Sequence, residues 1–130
     1  MKNTKLIFTA LIALSFLAVL AFSGCSDTDR EYTVKYEITG PEIDEVVINF
    51  TNLNKTNHTL KTESIIDKIP WEKTVVFSGY SVVKNLYIYC SAGSLNWNKN
   101  YTVNIYVDGV LKATKSSNGG GGVIADYSFK

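Results

Sequence analysis

The residues able to do chemistry are few and scattered. The chain of 130 residues holds two cysteines, Cys25 and Cys90, and one histidine, His58. A structural metal site asks for about four nitrogen or sulfur ligands, and this set does not supply them. Nucleophilic catalysis asks for a nucleophile beside a base that a third group orients, and no spacing here places one. The glycine run at 119–122 lacks the strand and helix of a phosphate loop and reads as a flexible hairpin tip. Asp108 and Asp126 are not placed as a carboxylate pair, and Asp108 has a turn role. The reading is of a chain with no catalytic residue, no metal and no cofactor. What remains is aromatic. Trp71, Tyr87, Tyr89, Trp97 and Tyr106 fall in loops or on the faces turned away from the expected core. Exposed aromatics stack on sugars and anchor protein partners. They also stabilise a sheet face as cross-strand pairs. Trp71, Trp97, Tyr87 and Tyr89 form the candidate ligand-binding set on the first reading.

Cys25 offers chemistry of another kind. The chain begins with Lys2 and Lys5, and residues 6–22 follow with only Thr9 and Ser15 as polar interruptions. These 17 residues are short for crossing a bilayer and long for a signal core. Their end, Ser23-Gly24-Cys25, resembles the lipobox of bacterial lipoproteins, with Phe22 where that family usually has Leu. The resemblance implies cleavage between Gly24 and Cys25, a diacylglycerol on the thiol and a further acyl chain, such as palmitate, on the freed amine. Two or three chains anchor stably where one is marginal. The alternative is an uncleaved single-pass helix with an incidental cysteine. The acidic run after Cys25 resembles the export tag of Bacteroidetes-type lipoproteins, and it also suits a solvated linker. The expected organisation is a signal peptide, forming a hydrophobic helix, over 1–24, an acylated cysteine and acidic linker over 25–31, and one domain over 32–130. The expected place is the bacterial cell envelope, lipid-anchored, at the outer membrane.

Composition bounds the domain. Cleavage before Cys25 leaves 106 residues, enough for one core without staples. With Lys2 and Lys5 gone, 11 basic and 12 acidic residues remain, a net charge of −1. Nucleic-acid binding needs a basic stripe, so no nucleic-acid partner is expected.

Alternation of apolar and polar residues predicts strands over 31–38, 46–51, 59–63, 73–77, 86–91, 101–107, 110–114 and 123–129. Gly40-Pro41 is expected to end the first. Residues 52–58, with His58, read as a hairpin loop, and residues 92–99, with Trp97, as a second loop. Pro70 marks an edge strand or a strand start. Asp108-Gly109 between alternating runs predicts a two-residue type I′ turn, with Val103, Ile105 and Val107 facing the core. Cys90 falls on the apolar face of its strand, where a thiol behaves as a small hydrophobe. The fold class is all-β: an immunoglobulin-like antiparallel sandwich of about seven strands, with a small closed barrel as the alternative.

Several blocks carry a second resemblance: Tyr32-Thr33-Val34-Lys35-Tyr36-Glu37-Ile38-Thr39-Gly40, Val47-Ile48-Asn49-Phe50-Thr51-Asn52, Ile69-Pro70-Trp71-Glu72-Lys73-Thr74 and Thr102-Val103-Asn104-Ile105-Tyr106-Val107-Asp108-Gly109. Their words and order resemble the soluble domain of the mycobacterial MmpS membrane-protein family. That resemblance implies a β-sandwich outside the cytoplasmic membrane, accessory to an RND-type exporter that carries lipids or siderophores. This chain has Val103 and Tyr127 where that family tends to carry cysteines. Two kinds of partner follow as expectations: the membrane through acyl chains on Cys25, and a protein partner such as an exporter. A surface glycan- or ligand-binding module is the alternative function.

Overall fold

Period-two patterning buries one face of most strands, and the buried faces meet in one core. The computed structural model describes residues 31–53, 59–77, 85–119 and 121–130. Signal peptide, Gly24, Cys25, most of the acidic linker, His58 and the expected turn at 78–80 lie outside them. Six strands follow in order: β1 (Tyr32–Leu53), β2 (Leu60–Phe77), β3 (Asn85–Ser91), β4 (Thr102–Val107), β5 (Val110–Ser116) and β6 (Val123–Ser128). All pairings are antiparallel.

Gly40-Pro41 does not end the first strand. β1 runs on through Leu53, bends, and joins two expected strands into one. The bend comes from an excess of residues. β1 has seven residues between Ile38 and Val46, where its partner β2 has only three between Trp71 and Asp67. Two register shifts absorb the four extra residues, one on each side of Ile43. Each shift is odd, so each turns the side chains to the opposite face, and the pair restores the original face. Val34, Tyr36 and Ile38 before the bend, Ile43 within it, and Val46, Ile48 and Phe50 after it are therefore all buried. The strands expected over 59–63 and 73–77 are likewise joined in one, β2, which starts at Leu60 and has Pro70 inside it. Among the described residues β2 pairs only with β1, so it is an edge strand and the missing N–H of Pro70 breaks no second ladder.

The bend folds β1 back over itself. The rings of Tyr36 and Phe50 come within 5.3 Å, and the Tyr36 hydroxyl donates to the Thr51 carbonyl at 2.7 Å. The first half of β1 pairs with β4, which pairs with β5. The second half pairs with β3, which pairs with β6. The two layers share the β1–β2 hairpin, and β5 lies beside β6 at the open seam without a ladder between them. The result is the expected all-β, immunoglobulin-like antiparallel sandwich, nearly closed into a barrel. Leu86, Ile88 and Cys90 of β3 and Val103, Ile105 and Val107 of β4 face the core as their spacing predicts. Asp108 and Gly109 both hold positive φ, 50° and 78°, which is the type I′ geometry.

Candidate functional site

The two ends of the sandwich differ. One end gathers the start of β1, the β4–β5 turn and the last residues of β6. The Asp108 carboxylate accepts from the Thr33 N–H there at 2.9 Å, and the Asp108 N–H donates back to the Thr33 carbonyl at 2.8 Å. The opposite end gathers the β1 bend, the loop from Ala92 to Asn100 and the glycine-rich β5–β6 connection.

Tyr101 holds this second end together. It is fully buried, and its hydroxyl lies 2.8 Å from the Cys90 carbonyl and 2.6 Å from the Gly121 carbonyl, so one O–H serves two acceptors. Its backbone exchanges bonds with Ser117: the Ser117 N–H donates to the Tyr101 carbonyl at 2.8 Å, and the Tyr101 N–H to Ser117 Oγ at 3.1 Å. Gly40 packs on it so closely that a Cβ there would sit 2.9 Å from the Tyr101 Cβ. Desolvation raises the Tyr101 hydroxyl well above the ordinary phenol range, so it stays protonated and able to donate.

On this platform stands a short 3₁₀ helix, Ser94–Asn96. Gly93 enters it at φ 70°, a conformation that glycine adopts freely. The Asn96 side chain donates to the Ala92 carbonyl at 2.8 Å, and the Lys99 N–H to the Asn96 carbonyl at 2.9 Å. Lys99 Nζ reaches the Glu42 carbonyl on the bend at 3.0 Å. Gly119 packs on the Trp97 carbonyl, with no room for a Cβ, and donates its N–H to Asn100 Oδ1 at 2.8 Å. The backbone of this tip is thus tied on three sides. Its large apolar side chains are not covered: Leu95 is 93% exposed and Trp97 is 72% exposed.

The four aromatic candidates part company. Trp97 stands on the tip. Trp71 sits at the bend, half-buried, its ring 5.4 Å from that of Phe50, beside a shallow pocket bounded by Glu37, Pro70 and Glu72. Tyr87 and Tyr89 share the outer face of the second layer, both half-buried. Tyr87 pairs with Thr62 through an Oη–Oγ1 contact of 2.7 Å, and Tyr89 packs against Gly122. Trp71 contributes to the core, the two tyrosines to a sheet face, and Trp97 alone projects. Leu95 joins Trp97 without having been foreseen. Its signal was an apolar residue in the polar run Ser94-Leu95-Asn96-Trp97-Asn98.

The outer faces of the layers also differ. On the first layer Lys35 Nζ binds Glu37 at 2.8 Å and lies 4.5 Å from the centre of the Tyr106 ring. Glu37 accepts from the Tyr106 hydroxyl at 2.9 Å and the Asn104 amide at 3.0 Å, and Thr114 donates to Asn104 Oδ1 at 2.7 Å. The Lys35 hydrogen bond, with those of Tyr106 and Asn104, holds the Glu37 carboxyl below its ordinary value, against a smaller rise from burial. This network satisfies itself. The second layer presents Val47 paired with Ile66, and Ile124 paired with Tyr89. Asn49, paired in register between Ser64 and Tyr89, keeps its Oδ1 shielded from solvent without a hydrogen-bond partner.

Cys90 is buried, and burial pushes its thiol up to about 11. Thiolate chemistry needs the opposite shift and access, so Cys90 is a core residue. Asp126, on β6, pairs in register with Tyr87 of β3. Among the described residues, no group of three or more His, Cys, Asp or Glu side chains is arranged to hold a metal ion, and no helix is long and apolar enough to cross a membrane. The projecting Leu95–Trp97 pair can bind by burial of apolar area. No protein-family model matches the chain, and no curated protein matches it.

Proposed function

We propose that this chain is a non-catalytic lipoprotein of the bacterial envelope, anchored at the outer membrane by acyl chains on Cys25, whose sandwich is a docking module for a protein partner. The observation that carries the docking reading is the exposure of Leu95 and Trp97 on a tip whose backbone is held by Tyr101, Gly119 and Lys99. Interface hot spots are enriched in tryptophan, and a rigid presentation lowers the cost of ordering it on binding. The tip stands at the end opposite Tyr32, about 20 Å away for a six-residue strand such as β4. A chain anchored through Cys25 would therefore hold the tip away from the bilayer. The lipobox-like Ser23-Gly24-Cys25 supports the anchor. The MmpS-like words support an RND-type exporter as the partner class. A glycan-binding module is the second reading, favoured by Asn98, an exposed amide next to the exposed Trp97 indole.

Two variants test this reading. Cys25→Ala is expected to abolish acyl labelling and leave the precursor unprocessed, and unchanged labelling would exclude the lipobox. Capture from detergent-solubilised membranes is expected to recover a defined partner with the wild-type chain and to lose it with Trp97→Ala. Capture indifferent to Trp97→Ala excludes the tip. Tryptophan fluorescence of a Trp71→Phe chain that shifts on titration with envelope glycans transfers the site to the second reading.

A further inference from the structure

The end of the sandwich around Tyr32 carries a groove of about 430 Å³ that the docking tip leaves unexplained. It opens where β5 and β6 lie side by side without a ladder. Its aromatic residues form a chain: the Tyr32 and Phe129 rings are 5.0 Å apart, and the Phe129 and Tyr127 rings are 5.0 Å apart at 71°. Val110, 55% exposed, completes the apolar part. The polar part is cationic at two points, Lys112 and Lys130. A β-bulge accounts for Lys112. Ile105 pairs with Ala113 and Tyr106 with Leu111, so Lys112 is the extra residue, and its Nζ lies 5.9 Å from the centre of the Tyr127 ring. Among the described residues lining the groove, the one carboxylate side chain, Asp108, is engaged with the Thr33 N–H. Leu111 and Val76, about half-exposed, lie on the outer face of the first layer at the same end of the sandwich.

The position of this groove follows from the chain. Tyr32 lines it and begins β1. Only residues 26–31 separate Tyr32 from Cys25, a reach of at most about 20 Å. Tyrosine and phenylalanine with flanking lysines are the composition of an interfacial contact, where rings sit at headgroup depth and ammonium groups stay in water. We propose that this groove and its apolar rim are the domain's seat on the bilayer: Tyr32, Tyr127, Phe129 and Val110 enter the headgroup zone, with Lys112 and Lys130 at the phosphates. The proposal rests on the reading of Cys25 as the anchor. It fixes the domain's orientation and turns the Leu95–Trp97 tip away from the membrane.

The test uses the full, lipidated chain in phosphatidylethanolamine–phosphatidylglycerol vesicles whose acyl chains are brominated. Wild type supplies the baseline, because Trp71 and Trp97 both lie toward the opposite end. F129W adds a reporter in the groove. V110W adds one at the exposed rim and serves where F129W disturbs packing. The brominated lipid is expected to leave wild-type emission nearly unchanged and to quench the added emission by roughly half, as for a side chain about 5–10 Å into the interface. Anchored protein whose added tryptophan is unquenched overturns the seat and leaves the anchor standing. Wild-type chain that fails to stay with the vesicles, or that stays equally with Cys25→Ala, overturns the anchor and the seat with it. Equal quenching by one equivalent of brominated fatty acid without vesicles assigns the groove to a single acyl chain and overturns the bilayer contact.

Discussion

Removing one hydroxyl, in Tyr101→Phe, is expected to loosen the tip without emptying the core. The ring stays, so no cavity opens. Two carbonyls, of Cys90 and Gly121, lose the donor that they share at 2.8 and 2.6 Å. A hydrogen bond is worth about 0.5–1.5 kcal/mol net, and a buried acceptor left without a partner costs about 1–3 kcal/mol. The Gly121 carbonyl lies at the loop and regains water once the loop moves, while the Cys90 carbonyl lies inside. The expected loss is therefore about 1–3 kcal/mol, or about 4–8 °C in Tm for each kcal/mol in a domain of this size. Urea denaturation at neutral pH measures it, with an unchanged m-value as the sign that only stability has moved. The raised pKa of Tyr101 means that the hydroxyl is protonated throughout such an assay. A second readout separates a local from a global effect. With Trp71→Phe as the background, so that Trp97 is the one indole, anisotropy is expected to fall in the folded variant, because the glycine-rich connection and the Trp97 backbone meet at Gly119. A loss below about 0.5 kcal/mol with unchanged anisotropy would refute the role given to Tyr101.

Gly40→Ala places a Cβ 2.9 Å from the Tyr101 Cβ and 3.1 Å from the Asn100 carbonyl, and a loss of about 1–3 kcal/mol by thermal denaturation is expected for such overpacking. Glu37 titrates below its ordinary value in the folded chain, so its contribution is present above the unfolded carboxylate pKa and is lost as pH falls through the folded one. Acidification is accordingly expected to lower the urea midpoint less in Glu37→Gln than in wild type. The difference should stay below about 1 kcal/mol, because the Lys35 pair is partly exposed. Cys90, buried and with its thiol raised to about 11, is expected to resist iodoacetamide at neutral pH until denaturant is added, and mass spectrometry of the alkylated peptide reads the result.

Local patterning carried most of the fold. Leu86, Ile88 and Cys90 alternate with Tyr87 and Tyr89, and the strand and its buried face follow from that alone. Asp108-Gly109 specifies its own turn, because both positions require positive φ. The bend in β1 was not legible from its neighbours. Gly40-Pro41 reads locally as a stop, whereas what keeps the strand going is pairing with β2 on one edge and contact of Gly40 with Tyr101, 61 residues on. The candidate site divides in the same way. Trp71 follows Ile69-Pro70 and Trp97 stands between asparagines, and it is the fold-back bringing Phe50 under Trp71 that makes one a core residue and leaves the other projecting. Trp97 meets instead the backbone of Gly119, which closes beneath it and leaves the indole outward. The role of Leu95 depends on the 3₁₀ turn that presents it, and three residues of helix leave no periodicity to read.

The docking tip is tested most directly by photo-crosslinking in intact cells. Asn98, exposed beside Trp97, would be replaced by photo-reactive benzoylphenylalanine, and so, in a separate chain, would Thr74 on β2 of the polar-faced layer. One discrete adduct from position 98, absent when Trp97→Ala is added and absent from position 74, is the predicted result. No adduct from position 98, or one that persists with Trp97→Ala, would contradict the assignment of the tip as the docking site.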